Sequence, residues 1–332
     1  MKRISEERKM KFRLYIVTFI LILSPGIFAQ PAPNIEENIP YLMTFGPRAE
    51  TSWGDDDFSQ TFFFIFPKDY DKPIFIWVFD PDVGGAVDEI NGFWDTRVSY
   101  SVYGGEGCQS DEDAQGIDPV GNYKSGVLLA TRTFGENPRY DNNWYVFGPF
   151  NPTEGEYYDK YDGNVLKMII EGVDGDDGNL YRFFISDSPT QRNSIEGANA
   201  FAYEYSFRMH DNPEEVSHIY PYVDDQTVSV HLSNFDWDGD GFIRIVSVAR
   251  KGQLSRVSTE NNWELTPFRI YEEEKNTSLD IQFIKKKSPP TVRNNNVVVY
   301  VQNQYGKNLE FFTSPIGGVP KYKYSIGVRK IE

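Results

Sequence analysis

The chain has 332 residues, of which 49 are acidic and 33 are basic, and its formal net charge at pH 7 is −16. A surface with this excess of negative charge repels nucleic acid and anionic lipid, so both partner classes are excluded unless cations bridge the contact. Aromatic residues make up 16% of the chain, which excludes an intrinsically disordered protein. The single cysteine, Cys108, excludes an intrachain disulfide, so stability must come from core burial, bound ions or both.

The first 29 residues have the pattern of a secretory signal peptide. Basic residues precede an apolar run that begins at Leu14 and ends at the small residue Ala29. A run of this length and position favours a cleaved leader over a membrane span. We therefore predict cleavage after Ala29, a secreted, periplasmic or cell-surface location, and no integral span after processing. Retention as an uncleaved anchor is the alternative.

The rest of the chain contains many predicted strands and almost no predicted helix. After a proline-rich linker at residues 30–40, nine short segments rich in Phe, Tyr, Ile and Val are separated by Gly, Asn, Asp and Pro. Seven more follow at the spacing typical of sandwiches. We predict an all-β protein with two consecutive β-sandwich domains, residues 41–211 jelly-roll-like and residues 212–332 immunoglobulin-like. We find no internal repeat between the two halves.

The segment 104–125 in the first predicted domain differs from its surroundings. It has few apolar residues and contains five acidic ones. Because it is too long for an ordinary hairpin loop, we interpret it as either an ordered functional loop or a disordered flap.

The apolar segment at residues 75–79 leads into a loop that is dense in carboxylates. Asp80, Asp82 and Asp88 follow it, and a proline and a pair of glycines between them favour a turn. Calcium takes six to eight oxygen ligands in flexible geometry, and such a turn can bring carboxylates to it from several directions. We predict a calcium site here, and a solvated acidic turn is the alternative.

Residues 55–92 also resemble the calcium-dependent phospholipid-binding domain of the protein kinase C and synaptotagmin type. In that family an apolar strand ends in D-x-D, and a third aspartate follows six residues later; Asp80, Asp82 and Asp88 match this pattern. The resemblance implies that these carboxylates bind calcium. The Ser-Asp-Pro-Tyr string of the family's first acidic loop is not present in this chain, and Asp55 and Asp57 are only an approximate substitute for it.

A second acidic cluster lies in the second predicted domain. Asp236, Asp238 and Asp240, followed by Gly241, match the first six positions of a D-x-D-x-D-G calcium loop. Ser247 stands where an EF-hand has glutamate, and no predicted helix flanks the loop, so it is not an EF-hand. We predict a short calcium loop that a distant carboxylate completes, and an acidic hairpin turn is the alternative.

Three tryptophans accompany these acidic loops, namely Trp53, Trp94 and Trp237. Indole rings cover the apolar faces of sugars, so tryptophan beside calcium suits glycan recognition. Each ring could equally cap the core of a sandwich.

We assign no catalytic residues. The three histidines of the chain lie outside any HExxH motif, and there is no G-x-S-x-G motif or glycine-rich phosphate loop. We therefore predict a calcium-binding adhesion or recognition protein whose partner is a glycan or another cell-envelope component. The alternatives are a polysaccharide hydrolase that uses paired carboxylates and a structural stalk that calcium stiffens.

Overall fold

The computed structural model describes residues 31–237, 239, 241–286 and 295–323. The predicted signal peptide and the predicted ligands Asp238 and Asp240 lie outside the described residues. The described part of the chain has 22 β-strands and no α-helix, which confirms the all-β prediction. Its helices are 3₁₀ turns of three residues, and none of these described helices has the length to cross a membrane.

Twelve of the described strands precede residue 212. In chain order they are β1 (Pro31–Ala32), β2 (Tyr41–Phe45), β3 (Ser59–Pro67), β4 (Ile74–Phe79), β5 (Arg97–Gly104), β6 (Val127–Phe134), β7 (Trp144–Phe150), β8 (Glu156–Tyr158), β9 (Gly163–Asp174), β10 (Gly178–Ser186), β11 (Asn199–Ala202) and β12 (Glu204–Arg208). Short 3₁₀ helices lie between some of them, at Thr51–Trp53, Asp113–Gln115, Pro152–Glu154 and Asp159–Tyr161.

Ten further described strands follow. They are β13 (Val216–Ile219), β14 (Tyr222–Val223), β15 (Ser229–Phe235), β16 (Gly241–Val246), β17 (Gln253–Ser255), β18 (Trp263–Arg269), β19 (Thr277–Ser278), β20 (Asp280–Lys285), β21 (Asn296–Asn303) and β22 (Phe311–Phe312). A 3₁₀ helix at Glu272–Glu274 lies between β18 and β19.

The described strands form four antiparallel sheets. Sheet A has the order β18-β15-β21-β12-β2-β10-β4-β7, and β1 also pairs with β10. Sheet B has the order β22-β11-β3-β9-β5-β6, and β8 pairs with β9. Sheet C has the order β13-β20-β16-β17, and sheet D consists of β14 and β19.

Sheet A continues across the predicted domain boundary at residue 211. Strand β12 pairs with β2 on one side and with β21 on the other. One buried apolar cluster likewise includes residues from both sides of the boundary, for example Phe62 and Phe283. The two halves therefore share a sheet and a core, and their division into separate domains stays a prediction.

The strand pairing of the first half recurs in the second. Eight strands of the first half form the orders β2-β10-β4-β7 and β3-β9-β5-β6. Strand β12, which precedes the predicted boundary, and seven strands that follow it form the orders β12-β21-β15-β18 and β13-β20-β16-β17, so the repeat groups β12 with the second half. Strand for strand the two patterns are the same, so the chain contains a structural repeat that our sequence analysis did not find. The immunoglobulin-like arrangement predicted for the second half is not confirmed.

Strand β3 shows why these segments form strands. Phe62, Phe64 and Phe66 belong to the main apolar core, whereas Phe63 and Ile65 belong to a second apolar cluster. Successive side chains of a strand point to opposite faces, so an uninterrupted aromatic run fits a strand that is buried on both sides. The run therefore contributes to two layers of packing at once.

Candidate cation site

The chain turns sharply where strand β4 ends. The Asp80 N–H donates to the Asn143 carbonyl at 2.8 Å, which closes the β4–β7 pair. Asp80 itself has a left-handed backbone with φ of +55°, an uncommon conformation that aspartate tolerates better than most residues. The loop that follows is thereby directed along the end of the sheet towards the segment before β7.

Three carboxylates meet between this loop and the segment before β7. Asp80, Asp82 and Asp141 each place one carboxylate oxygen within 4.8 Å of the other two. Asp80 and Asp82 are 1% and 0% exposed, and Asp141 is partly exposed. Calcium–oxygen distances are about 2.3–2.6 Å, so oxygens at this spacing can all contact one calcium ion. We call these three residues the β4 site.

In each buried aspartate of the β4 site, one carboxylate oxygen accepts a hydrogen bond and the other has no hydrogen-bond partner among the described residues. Asp80 Oδ1 accepts a hydrogen bond from the Asn142 N–H at 3.0 Å, and Asp82 Oδ2 accepts one from the Asn137 N–H at 3.0 Å. The other oxygens, Asp80 Oδ2 and Asp82 Oδ1, are buried and have no hydrogen-bond partner among the described residues. Burying a polar atom without a partner is costly, and a cation bound between these carboxylates would offset that cost.

The electrostatics of the β4 site favour a cation. Burial, together with the charge of Asp141, raises the pKa of Asp80 to about 6 and the pKa of Asp82 to about 7. The guanidinium of Arg182 offsets this only in part, because it lowers the pKa of Asp80. A divalent cation would stabilise the charged carboxylates and remove their mutual repulsion.

Asp88 anchors the loop. Its Oδ1 accepts a hydrogen bond from the Leu180 N–H at 2.7 Å, and its Oδ2 accepts one from the Gly84 N–H at 2.8 Å. Burial raises its pKa well above the usual range. These contacts tie the acidic loop to strand β10, and the role of Asp88 as a direct metal ligand stays a prediction.

Gly85 allows the loop to pass close to Asp141. Its φ is +76°, and a β-carbon there would lie 2.9 Å from the Asp141 Cγ. We expect Gly85→Ala to lower the free energy of unfolding by about 1–2 kcal/mol through backbone conformation, and to weaken calcium binding because Asp141 must move. Urea denaturation and calcium titration measure the two effects.

Gly92→Ala is the matched control for this substitution. Gly92 has a similar φ of +84°, but a β-carbon there would meet no atom within 4 Å. This variant should lose stability through conformation alone and keep its calcium affinity. Equal calcium affinities in the two variants would contradict the placement of Asp141 in the site.

Asp141 was missed by our sequence analysis. It lies far from Asp80 along the chain and reaches the site only because β4 pairs with β7. The available signal was the segment Asp-Asn-Asn-Trp, an acidic residue and turn residues immediately before a strand.

The segment before β18 repeats the segment before β7. Residues 141–144 read DNNW, and residues 260–263 read ENNW. In the β4–β7 pair Phe79 lies opposite Trp144, and in the β15–β18 pair Phe235 lies opposite Trp263. The repeat of strand pairing therefore extends to the register of the strands that flank the two acidic loops.

The two acidic loops also begin with the same backbone geometry. Asp236 follows β15 as Asp80 follows β4, and both have φ of +55°. Asp236 Oδ1 accepts a hydrogen bond from the Asn261 N–H at 2.6 Å, which matches the bond between Asn142 and Asp80. By this correspondence Asp236 stands at the position of Asp80.

The segment 173–179, which joins β9 and β10, holds a further acidic cluster of different character. One oxygen each of Asp95, Asp176 and Asp177 lies within 4.8 Å of the others. The Asp177 carboxylate, however, accepts hydrogen bonds from the backbone N–H groups of Asn91, Asp95 and Thr96 at 2.8, 2.9 and 3.1 Å. We interpret Asp177 as a structural link between two loops.

The predicted ligand-binding tryptophans differ in exposure. Trp53 is partly buried against Phe45, with ring centroids 5.8 Å apart, and Trp94 is partly buried against the main core. Trp237 is only 2% exposed and packs edge-on against Phe283. Contact between Trp237 and a ligand would require this side chain to leave the core. The ligand-binding role of the three residues stays a prediction.

Comparisons with known proteins add little. No family model matches the chain, and no curated protein matches it. One solved structure that is similar to part of it is a "putative secreted protein" from Parabacteroides distasonis, with 9% sequence identity and a TM-score of 0.19 over 86% of this chain and 98% of that chain. A likeness at this level supports no conclusion about this chain, and the resemblance to the phospholipid-binding domain stays a prediction.

Proposed function

We propose that this is a secreted recognition protein that binds calcium at the β4 site through Asp80, Asp82 and Asp141. One observation carries this proposal. Asp80, Asp82 and Asp141 form a cluster that fits one ion, and Asp80 and Asp82 each have a buried oxygen, Oδ2 and Oδ1 respectively, without a hydrogen-bond partner among the described residues.

The chemistry of the β4 site favours calcium among common cations. All three side chains offer oxygen, whereas zinc sites are built mainly from cysteine and histidine. Magnesium demands near-ideal octahedral geometry and keeps its water molecules, whereas calcium accepts irregular oxygen cages. Backbone carbonyls and water would supply the ligands that the three carboxylates do not.

We extend the proposal to the acidic loop after β15, where Asp236, Asp238 and Asp240 are the predicted ligands. The support is the repeat: Asp236 has the backbone conformation and the asparagine contact of Asp80. Glu260 stands at the sequence position of Asp141 and is the distant carboxylate that this short calcium loop requires. Asp55 and Asp57 belong to a different cluster, together with Asp56.

The repeat also supports a finer description of the fold. We propose that both halves are jelly rolls, because each has eight strands in two four-stranded antiparallel sheets with the same order. Each acidic loop then occupies the same place in its own half, after the third of the eight strands.

The partner that we propose is a glycan or another component of the cell envelope. Two apolar side chains in the segment between the acidic loop and β5 are exposed, Ile90 at 54% and Phe93 at 72%. A loop fixed by calcium would present them, with Trp94 beside them, as a contact surface. Fluorescence changes on adding polysaccharide without product release would support binding. Release of product would support the alternative of a polysaccharide hydrolase. No response to polysaccharide would support the alternative of a structural stalk that calcium stiffens.

Calcium should raise the melting temperature of the full chain. Extracellular modules bind calcium with dissociation constants of about 0.1–1 mM. A tenfold excess over such a value stabilises the folded state by roughly 1.4 kcal/mol, which corresponds to about 3–6 °C for a domain of about 150–250 residues that melts as one cooperative unit. Magnesium should give a smaller shift. Differential scanning calorimetry in calcium, magnesium and chelator measures these shifts.

Two variants make this experiment specific. Asp82→Asn removes a ligand of the β4 site and should abolish the part of the shift that this site supplies. Asp225→Asn removes the same charge from an exposed position and should leave the shift unchanged. Equal calcium shifts in wild type and Asp82→Asn would contradict the proposal.

A further inference from the structure

A second cluster of carboxylates lies immediately before strand β3. Asp55, Asp56 and Asp57 each place one oxygen within 4.8 Å of the other two. The sequence resemblance grouped Asp55 and Asp57 with the loop after β4, but the structure forms two separate clusters, each with its own three carboxylates.

A small pocket of about 20 Å³ is lined by Ser59, which lies two residues beyond this second cluster along the chain. The beginnings of β3 and β12 form part of its lining, with Gln60 and Glu204. Asp113 and Asp118 of the segment 104–125 line it as well. This acidic segment, whose role the sequence left open, therefore forms one wall of the pocket.

The segment 104–125 is held in place by Glu156. The Glu156 carboxylate accepts hydrogen bonds from the backbone N–H groups of Gly107, Gln109 and Ser110 at 3.1, 2.7 and 2.9 Å. Asp113 Oδ2 in turn accepts one from the Asn122 N–H at 2.6 Å. The wall of the pocket is thus built by specific contacts within the fold.

Glu204 provides the evidence that this pocket binds a ligand. It is 7% exposed and lines the pocket, and its carboxylate has no hydrogen bond or ion pair with any residue that the structure describes. Burial raises its pKa, and the nearby charges that add to this effect belong to Asp56, Asp57, Asp55 and Asp118. A buried carboxylate whose neighbouring charges are all negative is unfavourable unless a cation or a proton accompanies it.

Two of the three aspartates in the cluster also have a carboxylate oxygen without a hydrogen-bond partner in the described part of the chain. Asp56 Oδ1 and Asp57 Oδ2 are buried without a hydrogen-bond partner among the described residues. Asp55 differs, because its oxygens accept hydrogen bonds from the Phe45 and Phe58 N–H groups at 2.7 and 2.9 Å. Asp55 therefore anchors this cluster, as Asp88 anchors the loop after β4.

We propose that a second divalent cation binds here, independently of the β4 site, between Asp56 and Asp57 and the nearby carboxylates of Glu204 and Asp118. The side chains offer oxygen alone, which selects a hard cation, and calcium suits their irregular arrangement best. We call these four residues the Glu204 site. A cation there would also fix the segment 104–125 against the starts of β3 and β12.

The test counts calcium ions bound by the full chain, using equilibrium dialysis and isothermal titration calorimetry. Glu204→Gln keeps the shape of the side chain and removes its charge, so it should abolish one calcium ion per chain or weaken its binding at least tenfold. In the absence of calcium this variant should melt at a higher temperature than wild type, because it relieves repulsion among buried carboxylates.

Glu310→Gln is the matched control. Glu310 is also 7% exposed, but Lys160 and Tyr161 contact its carboxylate, so this variant should keep the wild-type number of bound ions. If Glu204→Gln binds as many ions as wild type with unchanged affinity, the proposal of the Glu204 site is wrong. The Glu204 carboxylate is then stabilised by protonation and not by a cation.

Asp82→Asn separates the two sites. If Asp82→Asn keeps all of its ions while Glu204→Gln loses one, the Glu204 site stands and the proposed β4 site fails. If each variant loses one ion and the double variant loses both, the Glu204 site stands as a second, independent site.

Discussion

The metal-free protein should become less stable as the pH rises from about 4 to about 8. Asp80 has a pKa of about 6 in the folded chain, above its ordinary value of 3.8, because it is buried. Below pH 3.8 it is protonated in both the folded and the unfolded state and causes no loss of stability. As the pH rises through 6 the folded state must release its proton at a cost, whereas the unfolded state has already done so.

The expected size of this effect is large. One pKa unit corresponds to about 1.4 kcal/mol, so the shift of Asp80 alone represents on the order of 3 kcal/mol. The raised pKa values of Asp82, Asp88 and Glu204 act in the same direction. Glu156 acts in the opposite direction, because the hydrogen bonds to its carboxylate overcome burial and lower its pKa.

Urea denaturation between about pH 5 and pH 8, with chelator or with millimolar calcium at constant ionic strength, measures this dependence. Calcium should reduce the loss of stability with rising pH, because it binds the charged carboxylates and offsets the cost of their deprotonation. Asp80→Asn should reduce this loss without calcium. A pH dependence that is the same in chelator, in calcium and in Asp80→Asn would show that these carboxylates do not govern it.

Arg250→Ala should lower the free energy of unfolding by about 3–5 kcal/mol. Arg250 and Glu274 form an ion pair whose side chains are 5% and 0% exposed. Arg250 Nε donates to Glu274 Oε1 at 2.7 Å, and a second guanidinium nitrogen donates to Oε2 at 3.0 Å. Without the guanidinium, Glu274 would keep its contacts with Ser247 and the Tyr271 N–H but would be a buried, unpaired charge.

Arg256→Ala is the control, because it removes an arginine from an exposed ion pair and not from a buried one. Arg256 also pairs with a glutamate, Glu264, but its side chain is 64% exposed, so its loss should cost at most about 1 kcal/mol. The double variant Arg250→Met, Glu274→Met should recover most of the loss, because it removes both charges and keeps the volume. Urea denaturation measures all three. Similar losses for Arg250→Ala and Arg256→Ala would contradict the buried pair.

The strands were predictable because their signal is local. Runs of aromatic and β-branched residues such as residues 62–66 bury side chains on one or both faces of a strand, and turn residues separate them. Alternation, however, shows which face of a strand is buried and not which strand lies beside it. The pairing of β2 with β12, which joins the two halves, therefore had no local signal.

The candidate sites were predictable only in part for the same reason. Asp80 and Asp82 are close in sequence, so a turn sufficed to predict them. Asp141 reaches its cluster through long-range strand pairing, and Glu204 reaches its cluster because the starts of β3 and β12 line the same pocket. No spacing along the chain indicates either contact. Trp237 lies among acidic turn residues, which suggests the surface, yet the chain places its ring in the core.

Calcium at the β4 site can be located directly by anomalous X-ray diffraction from crystals of the full chain equilibrated with calcium. We predict an anomalous peak that lies about 2.3–2.6 Å from Asp80 Oδ2, Asp82 Oδ1 and a carboxylate oxygen of Asp141. A calcium-equilibrated crystal without a peak among these three residues, in which Asp82 and Asp141 share a proton or bind water, would contradict the account.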